Sequence, residues 1–280
     1  MIVIRTLAAA LTFAAVMVAA EADGLRLEDQ TFRQFEDGPP FQQAYRPGEQ
    51  VFFDLRVAGY GRTEGEKPAL KLTWTFRGMD SDARLLEPVV SGQLESALAA
   101  QDTDYRPRVR VGLTVPTFAL DGQYRIALKL TDEVASKSVE GSFVFRVRGK
   151  QLPKAAPLEA ANWRFLRQED DTNPLTLPVY RPGSEVWLRF ELQGYRLSSN
   201  YGFSVSYGVT VTGPDGKQFL KQDPAATESQ QPFYPQHYVP GTFVIQLPPK
   251  AFIGEYQVAI IARDLESRTE NTVTRVFRVE

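Results

Sequence analysis

Cysteine is absent from this 280-residue chain, and histidine occurs only once, as His237. Without cysteine there can be no disulfide, thiolate metal site, cysteine nucleophile or lipid-modified cysteine. A single histidine excludes metal centres built from several histidines. We therefore expect no bound metal and no cofactor. Domains of ordinary size do not need disulfides, so the absence of cysteine is compatible with export from the cell.

A large excess of charge of either sign is also missing. The chain has 32 Lys and Arg against 34 Asp and Glu, a net charge of −2. This balance favours neither nucleic acid nor an anionic membrane as a partner. Acidic residues cluster at Glu169–Asp171, at Asp80 and Asp82, and at Asp102 and Asp104. The last pair lacks the glycine and distal glutamate of a calcium-binding EF-hand loop. We interpret them as solvated loop carboxylates, and we expect no acidic residue at a buried position on a strand.

Long apolar runs are confined to the N-terminus. Residues 1–22 have the pattern of a secretory signal peptide, with Arg5 as the positive region and Leu7–Val18 as the apolar region. Cleavage is expected after Ala20 or Ala22, and no membrane span remains after it. The sequence thus predicts an exported protein, periplasmic or extracellular, and the short signal without cysteine favours a bacterial source.

The chain repeats one unit. Tyr45-Arg46-Pro47-Gly48 returns as Tyr180-Arg181-Pro182-Gly183, at an offset of 135 residues. In such a turn, proline fixes the first central φ and glycine accepts a positive second φ. Each copy continues with an alternating strand and then a Gly-Tyr pair, at residues 59–60 and 194–195. We interpret the Tyr, Pro and Gly of both copies as structural residues.

Alternation of apolar and polar residues continues through both copies, which predicts strands with one buried face. We count about seven short strands in each copy and no long helix after residue 22, although residues 92–101 could form one helical turn. This pattern predicts an all-β protein with two tandem β-sandwich domains. The predicted limits are 23–149 for the first domain, 150–160 for a proline-containing linker, and 161–280 for the second.

A second pair of repeated motifs carries a family resemblance. Gly122-x-Tyr124 and Gly254-x-Tyr256 resemble the tyrosine corner of immunoglobulin-like domains. Together with the Tyr-Arg-Pro-Gly turn, a Pro-Asp-Gly turn and an apolar strand ending in Leu-Pro, they resemble the macroglobulin-type (MG2-like) subset of bacterial immunoglobulin-like domains. The resemblance implies a sandwich with structural roles for both tyrosines. The thioester element of full macroglobulins is absent, so the resemblance does not imply protease trapping.

The copies differ most at residues 85–108 and 222–240, and the second difference contains the candidate binding residues. Residues 222–240 are predicted to be a loop with three aromatic side chains, Phe233, Tyr234 and Tyr238, and the single histidine, His237. Long loops on rigid sandwiches commonly carry recognition. If the three rings are exposed and coplanar they could stack on sugars; alternatively they cap the end of the sandwich.

The sequence leaves three functions open. The first is an exported, non-enzymatic binding or scaffold protein whose loops or strand edges contact a protein partner at the cell envelope. The second is a carbohydrate-binding module that uses the aromatic loop of the second domain. The third is a hydrolase with paired carboxylates, which would need two acids across a cleft. We favour the first and predict no catalytic residues.

Overall fold

The computed structural model describes residues 24–99, 101–153 and 156–280. The predicted signal peptide lies outside the described residues, as does part of the predicted linker. The described residues form strands, turns and loops without a helix, and so contain no helix able to cross a membrane. The strands are β1 (Arg26–Arg33), β2 (Gln50–Ala58), β3 (Ala69–Met79), β4 (Val90–Ala97), β5 (Arg108–Thr114), β6 (Gly122–Asp132), β7 (Lys137–Val147), β8 (Glu159–Leu166), β9 (Val179–Tyr180), β10 (Glu185–Gln193), β11 (Phe203–Thr212), β12 (Gln218–Gln230), β13 (Tyr238–Gln246), β14 (Gly254–Asp264) and β15 (Thr269–Val279).

These strands form two sandwiches with matching topology. In the first, a sheet of order β1-β2-β5 packs on one of order β4-β3-β6-β7. In the second, β13-β10-β8 packs on β12-β11-β14-β15-β9, where β9 is a two-residue parallel addition. All other pairings between strands are antiparallel. The tandem immunoglobulin-like arrangement predicted from the sequence is therefore confirmed.

Each sandwich has its own apolar core, built by the inward-facing positions of the alternating strands. In β2, Val51, Phe53, Leu55 and Val57 are all at most 1% exposed, and their counterparts in β10 are at most 2% exposed. Removing such side chains from water contributes about 1.5–3 kcal/mol each. Because the two cores are separate, the repeat in the sequence is a repeat of folding units.

The Tyr-Arg-Pro-Gly element is a turn in both copies. Gly48 and Gly183 have φ of 85° and 82°. The turn closes with a hydrogen bond from the residue after glycine to the arginine carbonyl, 3.0 Å in the first copy and 3.1 Å in the second. The buried tyrosines donate to the last carbonyl of the first strand in each sandwich, Tyr45 to Arg33 at 2.8 Å and Tyr180 to Leu166 at 2.9 Å.

Both tyrosine corners are also present. The hydroxyl of Tyr124 donates to the carbonyl of Leu120 at 2.8 Å, and that of Tyr256 donates to the carbonyl of Phe252 at 3.0 Å. The corner loop and the Arg-Pro-Gly turn lie at the same end of each sandwich, which we call the lower end. The opposite end, where the Gly-Tyr pair follows β2 or β10, is the upper end.

Two sequence expectations about local structure are wrong. Residues 90–97 are strand β4 rather than part of a helical turn, because they pair with β3 from Phe76↔Val90 to Ala69↔Ala97. Residues 222–230 belong to strand β12, which pairs with β11, so the loop in this region is only residues 231–237. β12 takes the place of β4 at the sheet edge, so the copies differ in sequence there but not in topology.

The expectation that no acid is buried on a strand is also wrong. Asp54, Asp132, Glu191 and Asp264 are each at most 9% exposed. Asp132 accepts hydrogen bonds from the backbone N–H groups of residues 61, 134 and 135, and Asp264 accepts the equivalent bonds in the second copy. Backbone donors replace water around these carboxylates, which makes their burial tolerable.

Candidate functional site: the aromatic loop between the sandwiches

The loop that carries the candidate residues lies at the upper end of the second sandwich, against the lower end of the first. It begins after β12 and ends at Tyr238, the first residue of β13. The hydroxyl of Tyr195, from the second Gly-Tyr pair, donates to the carbonyl of Gln236 at 2.6 Å and so fixes the loop from below. Gln236 is 3% exposed, and its side-chain amide donates to the carbonyl of Tyr238 at 3.1 Å.

The first copy has the same device. Tyr60, from the first Gly-Tyr pair, donates to the carbonyl of Tyr105 at 2.7 Å, in the loop between β4 and β5. Each Gly-Tyr pair therefore holds the loop that follows the edge strand of its own sandwich. Glycine is needed at both positions, because φ is 69° at Gly59 and 77° at Gly194 and a Cβ would lie 2.1 Å from a backbone oxygen.

Tyr234 connects the loop to the first sandwich. Its hydroxyl donates to Oδ2 of Asp80 at 3.0 Å and lies 3.5 Å from the hydroxyl of Tyr124. Asp80 is 4% exposed and also accepts hydrogen bonds from the backbone of Arg84 and Asp82. Burial raises the pKa of Tyr234, and the neighbouring Tyr124 and Asp80 raise it further. The hydroxyl is therefore a fixed donor rather than an acid.

Tyr238 forms a second contact between the sandwiches. Its ring meets the ring of Phe118 edge-on, with centroids 5.3 Å apart, and the ammonium of Lys150 lies 4.3 Å from its centroid. A cation over a tyrosine face is attracted by the ring quadrupole. One face of the Tyr238 ring is thus covered by Lys150, and the ring also packs against Phe118 of the first sandwich.

Lys150 also forms the ion pair of this junction. Its ammonium donates to Oε2 of Glu191, which is 9% exposed and accepts a second hydrogen bond from Nδ2 of Asn162 at 2.6 Å. Asn162 has φ of 52° and lies at a register shift in β8, which turns its side chain towards Glu191. Both donors bond the same carboxylate oxygen, and charge-assisted hydrogen bonds of this kind are stronger than neutral ones.

His237 faces the first sandwich as well and is half-buried. Burial lowers its pKa, and the charge of Arg84 lowers it further, while Asp80 and Asp82 act in the opposite direction. The net effect favours the neutral imidazole. The described residues contain no group of three or more His, Asp or Glu side chains arranged to hold a metal ion.

Phe233 is the exception within the loop, because 52% of it is exposed. The four candidate residues are therefore brought together, but in two roles: Tyr234, His237 and Tyr238 face the first sandwich, and Phe233 faces solvent. The rings do not form one exposed coplanar surface, which is the condition that the sequence analysis set for sugar stacking at this loop.

The contacts that complete this junction were missed by the sequence analysis. Asp80 was interpreted as a solvated loop carboxylate, which is wrong, because it is 4% exposed and hydrogen-bonded by its own turn and by Tyr234. Tyr124 was recognised only as a corner tyrosine. Phe118, Lys150 and Glu191 had no signal, because a residue that is exposed in one isolated sandwich is indistinguishable in sequence from one that a neighbouring sandwich covers.

Comparisons with known proteins add little to this description. No protein-family model and no curated protein sequence matches the chain. Among solved structures it is similar to the wild-type C-terminal domain of the AgI/II polypeptide BspA of Streptococcus agalactiae, with 10% identity, 89% of this chain and 100% of that chain covered, and a TM-score of 0.29. A second structure, named BspA_C_WT, has 10% identity, 91% and 99% coverage, and a TM-score of 0.27. Likenesses at these TM-scores carry no argument, and the fold rests on the sheets and cores described above.

Proposed function

We propose that this protein is an exported, non-enzymatic scaffold that holds two immunoglobulin-like domains in fixed relative orientation and contacts a protein partner at the cell envelope. The observation that carries the proposal is the junction itself. Hydrogen bonds, an ion pair and two aromatic contacts from loop 231–237 and its surroundings join the sandwiches. Domains joined by a flexible linker would not need such contacts.

The proposed limits of the two domains are residues 23–149 and 161–280. Lys150 is the first residue of the proposed linker, 150–160, and its ion pair with Glu191 supports a short connection rather than a free tether. We also propose that both domains are of the macroglobulin-type subset, which the repeated turn and corner motifs support. Export is proposed from residues 1–22, whose pattern supports a signal peptide.

The proposed contact with the partner is Phe233. Its ring is large and exposed, and its loop is held by the hydrogen bond from Tyr195 to Gln236. Such a ring loses little conformational entropy on binding. Loops are favoured over strand edges because the long edge strand β12 is polar and contains Pro224, and its pairing with β11 has two register shifts. Proline, charge and irregular pairing on an edge strand protect it from pairing with other chains.

The experiment is affinity capture from the envelope fraction of the host, with the purified full-length gene product as bait. We expect a specific protein to be retained by the wild-type chain and lost with Phe233→Ala. The matched control is Phe35→Ala, since Phe35 is 57% exposed and lies on the first sandwich. Equal capture by both variants, or no specific capture at all, would overturn the proposed contact.

A glycan array run beside the capture separates the carbohydrate alternative. Because Tyr234 and Tyr238 form contacts in the junction, we expect no glycan to bind through these rings. If a sugar binds specifically and this binding is lost with Phe233→Ala, the partner is a carbohydrate rather than a protein. A hydrolase with paired carboxylates has no observation in its favour here, since the buried acids of both sandwiches accept structural hydrogen bonds.

A further inference from the structure

Strand β4 forms one edge of the four-stranded sheet in the first sandwich, and no other described strand pairs with its outer side. Its antiparallel pairing with β3 has no register shift. The ladder continues beyond the strand, because the N–H of Leu98 donates to the carbonyl of Pro68 at 2.7 Å. β4 is therefore a regular edge strand of eight residues.

The free backbone groups of β4 belong to every second residue. In a regular antiparallel ladder, alternate residues direct their N–H and C=O groups to opposite sides of the strand. Leu98 bonds towards β3, so the other even-numbered residues of the ladder do the same. Ser91, Gln93 and Glu95 therefore direct their backbone groups away from β3, and all three residues are exposed. Such a row of donors and acceptors is a template for another strand.

The equivalent edge of the second sandwich is protected against such pairing. β12 contains Lys221 and Pro224 and has two register shifts against β11. Each remaining edge strand of the described sheets contains a lysine, arginine or proline, or is only two residues long. β4, with the sequence VSGQLESA, has none of these features and a single charge, Glu95. Since proteins commonly block edges that must not pair, this unblocked edge points to a partner strand.

The inward-facing row of β4 is apolar and incompletely covered. Val90 is 37% exposed, and Leu94 is half-buried against the first core. Between them lies Gly92, which pairs with Trp74 of β3. The indole lies over this glycine, since a Cβ there would be 2.6 Å from the ring, and Trp74 is also only half-buried. The edge thus has apolar area that an added strand would cover.

We infer that β4 pairs with β4 of a second copy of this chain, antiparallel and about a two-fold axis through Gly92. This alignment places Val90 opposite Leu94 of the second copy in the apolar row. In the polar row it places Ser91 opposite Gln93 of the second copy. The inference concerns an edge of the first sandwich and does not rest on the contact proposed for the aromatic loop of the second.

A second copy is favoured over an unrelated strand because β4 is complementary to itself. Directly opposite residues of antiparallel strands lie on the same face of the sheet, so apolar residues should meet apolar ones. With the axis at Gly92, the two glycines face each other beside the two Trp74 rings, and each Glu95 lies opposite Val89 rather than the other acid. The contact is isologous. It joins two four-stranded sheets into one of eight strands and closes as a dimer.

The first test is sedimentation equilibrium of the purified full-length gene product over a concentration series. We expect a monomer–dimer equilibrium without larger species. Gln93→Pro removes an N–H that points away from β3, so it leaves the ladder with β3 intact and should abolish the dimer. Thr227→Pro is the matched control, since Thr227 is likewise exposed on the edge strand β12, and it should leave association unchanged.

A second variant tests the apolar row. Val90→Lys places a charge opposite Leu94 of the second copy and should raise the dissociation constant about tenfold or more. Val144→Lys is the matched control, because Val144 is an exposed valine of β7, and it should have no effect. Circular dichroism and thermal unfolding establish that each variant retains the fold, so that loss of association is not confused with unfolding.

Disulfide formation tests the register, because the chain has no cysteine of its own. Ser91→Cys and Gln93→Cys proteins are prepared separately. The Cα atoms of a hydrogen-bonded pair lie about 5.5 Å apart, which is within reach of a disulfide. We expect rapid bridging when the two proteins are mixed and little bridging in either protein alone.

Three results would overturn the inference. The first is a wild-type chain that stays monomeric at every concentration. The second is dimerisation that Gln93→Pro leaves unchanged, because another surface would then form the contact. The third is bridging that is as fast in either cysteine variant alone as in their mixture, because the axis would then not pass through Gly92.

Discussion

The hydroxyl of Tyr234 in the second sandwich donates a 3.0 Å hydrogen bond to the carboxylate of Asp80 in the first, 154 residues earlier in the chain. Asp80 is almost completely buried; two backbone N–H groups of its own turn donate to its Oδ1, and the guanidinium of Arg84 lies 3.5 Å from its Oδ2. The tyrosine therefore completes the solvation of a carboxylate that the first sandwich alone leaves partly open to water. This hydrogen bond therefore links the stability of the first sandwich to the docking of the second.

Removing that hydroxyl should destabilise the protein. Tyr234→Phe keeps the ring but leaves Asp80 without one donor, and a hydrogen bond to a charged group contributes about 1.5–3 kcal/mol. We expect a decrease of that size in the free energy of unfolding measured in denaturant. Tyr105→Phe, on an exposed ring, is the control and should have almost no effect. Equal stability of Tyr234→Phe and wild type would show that water replaces the tyrosine without cost.

Breaking the ion pair of the junction should cost more than removing both partners. Lys150→Met leaves Glu191 with Asn162 as its remaining donor in a site that is 9% exposed, and should lower the free energy of unfolding by about 1–3 kcal/mol. The double variant Lys150→Met, Glu191→Leu removes the unpaired charge and should recover part of that loss. A double-mutant cycle in denaturant measures the coupling. Additive single effects would mean that the two side chains do not interact.

The repeated glycines should differ in their tolerance of alanine. At Gly48 only the positive φ is unfavourable, since a Cβ would meet nothing within 4 Å, and alanine should cost about 1–2 kcal/mol. At Gly59 the Cβ would also lie 2.1 Å from the carbonyl oxygen of Gly24, so the backbone must shift. We expect Gly59→Ala to reduce the melting temperature clearly more than Gly48→Ala. The reverse order would contradict the close approach of the two backbone segments.

His237 should make the junction sensitive to pH. Burial and the charge of Arg84 lower its pKa in the folded protein, so protonation favours the unfolded or undocked state. The stabilisation is complete above the unfolded pKa of about 6.5 and decreases as the pH falls below it towards the folded value. As the pH decreases from about 7.5 to about 5, the melting temperature should decrease more steeply for wild type than for His237→Gln. Identical pH profiles would show that the histidine stays solvated.

The sequence predicted the fold of this protein much better than it predicted the candidate site. Alternation in β2 and β10 and the repeated Tyr-Arg-Pro-Gly turn were sufficient to predict the two sandwiches, because these patterns reflect burial within one domain. Residues 222–230 were misread as a loop, because a polar edge strand with a proline lacks the alternation by which strands are recognised. The junction was not predicted, because contacts such as Lys150 with Glu191 depend on how two finished domains meet.

The contacts around loop 231–237 hold the two sandwiches in one orientation, and a measurement of the distance between the sandwiches checks this. The chain has no cysteine, so Ser142→Cys and Thr274→Cys, exposed and equivalent positions in β7 and β15, place one spin label on each sandwich. Labelled protein is diluted with unlabelled protein to remove distances between copies. Double electron–electron resonance should give one narrow distance distribution in the wild-type background, and Lys150→Glu, which places two carboxylates together, should broaden it. A wild-type distribution as broad as that of the Lys150→Glu variant would show that these contacts do not fix the orientation.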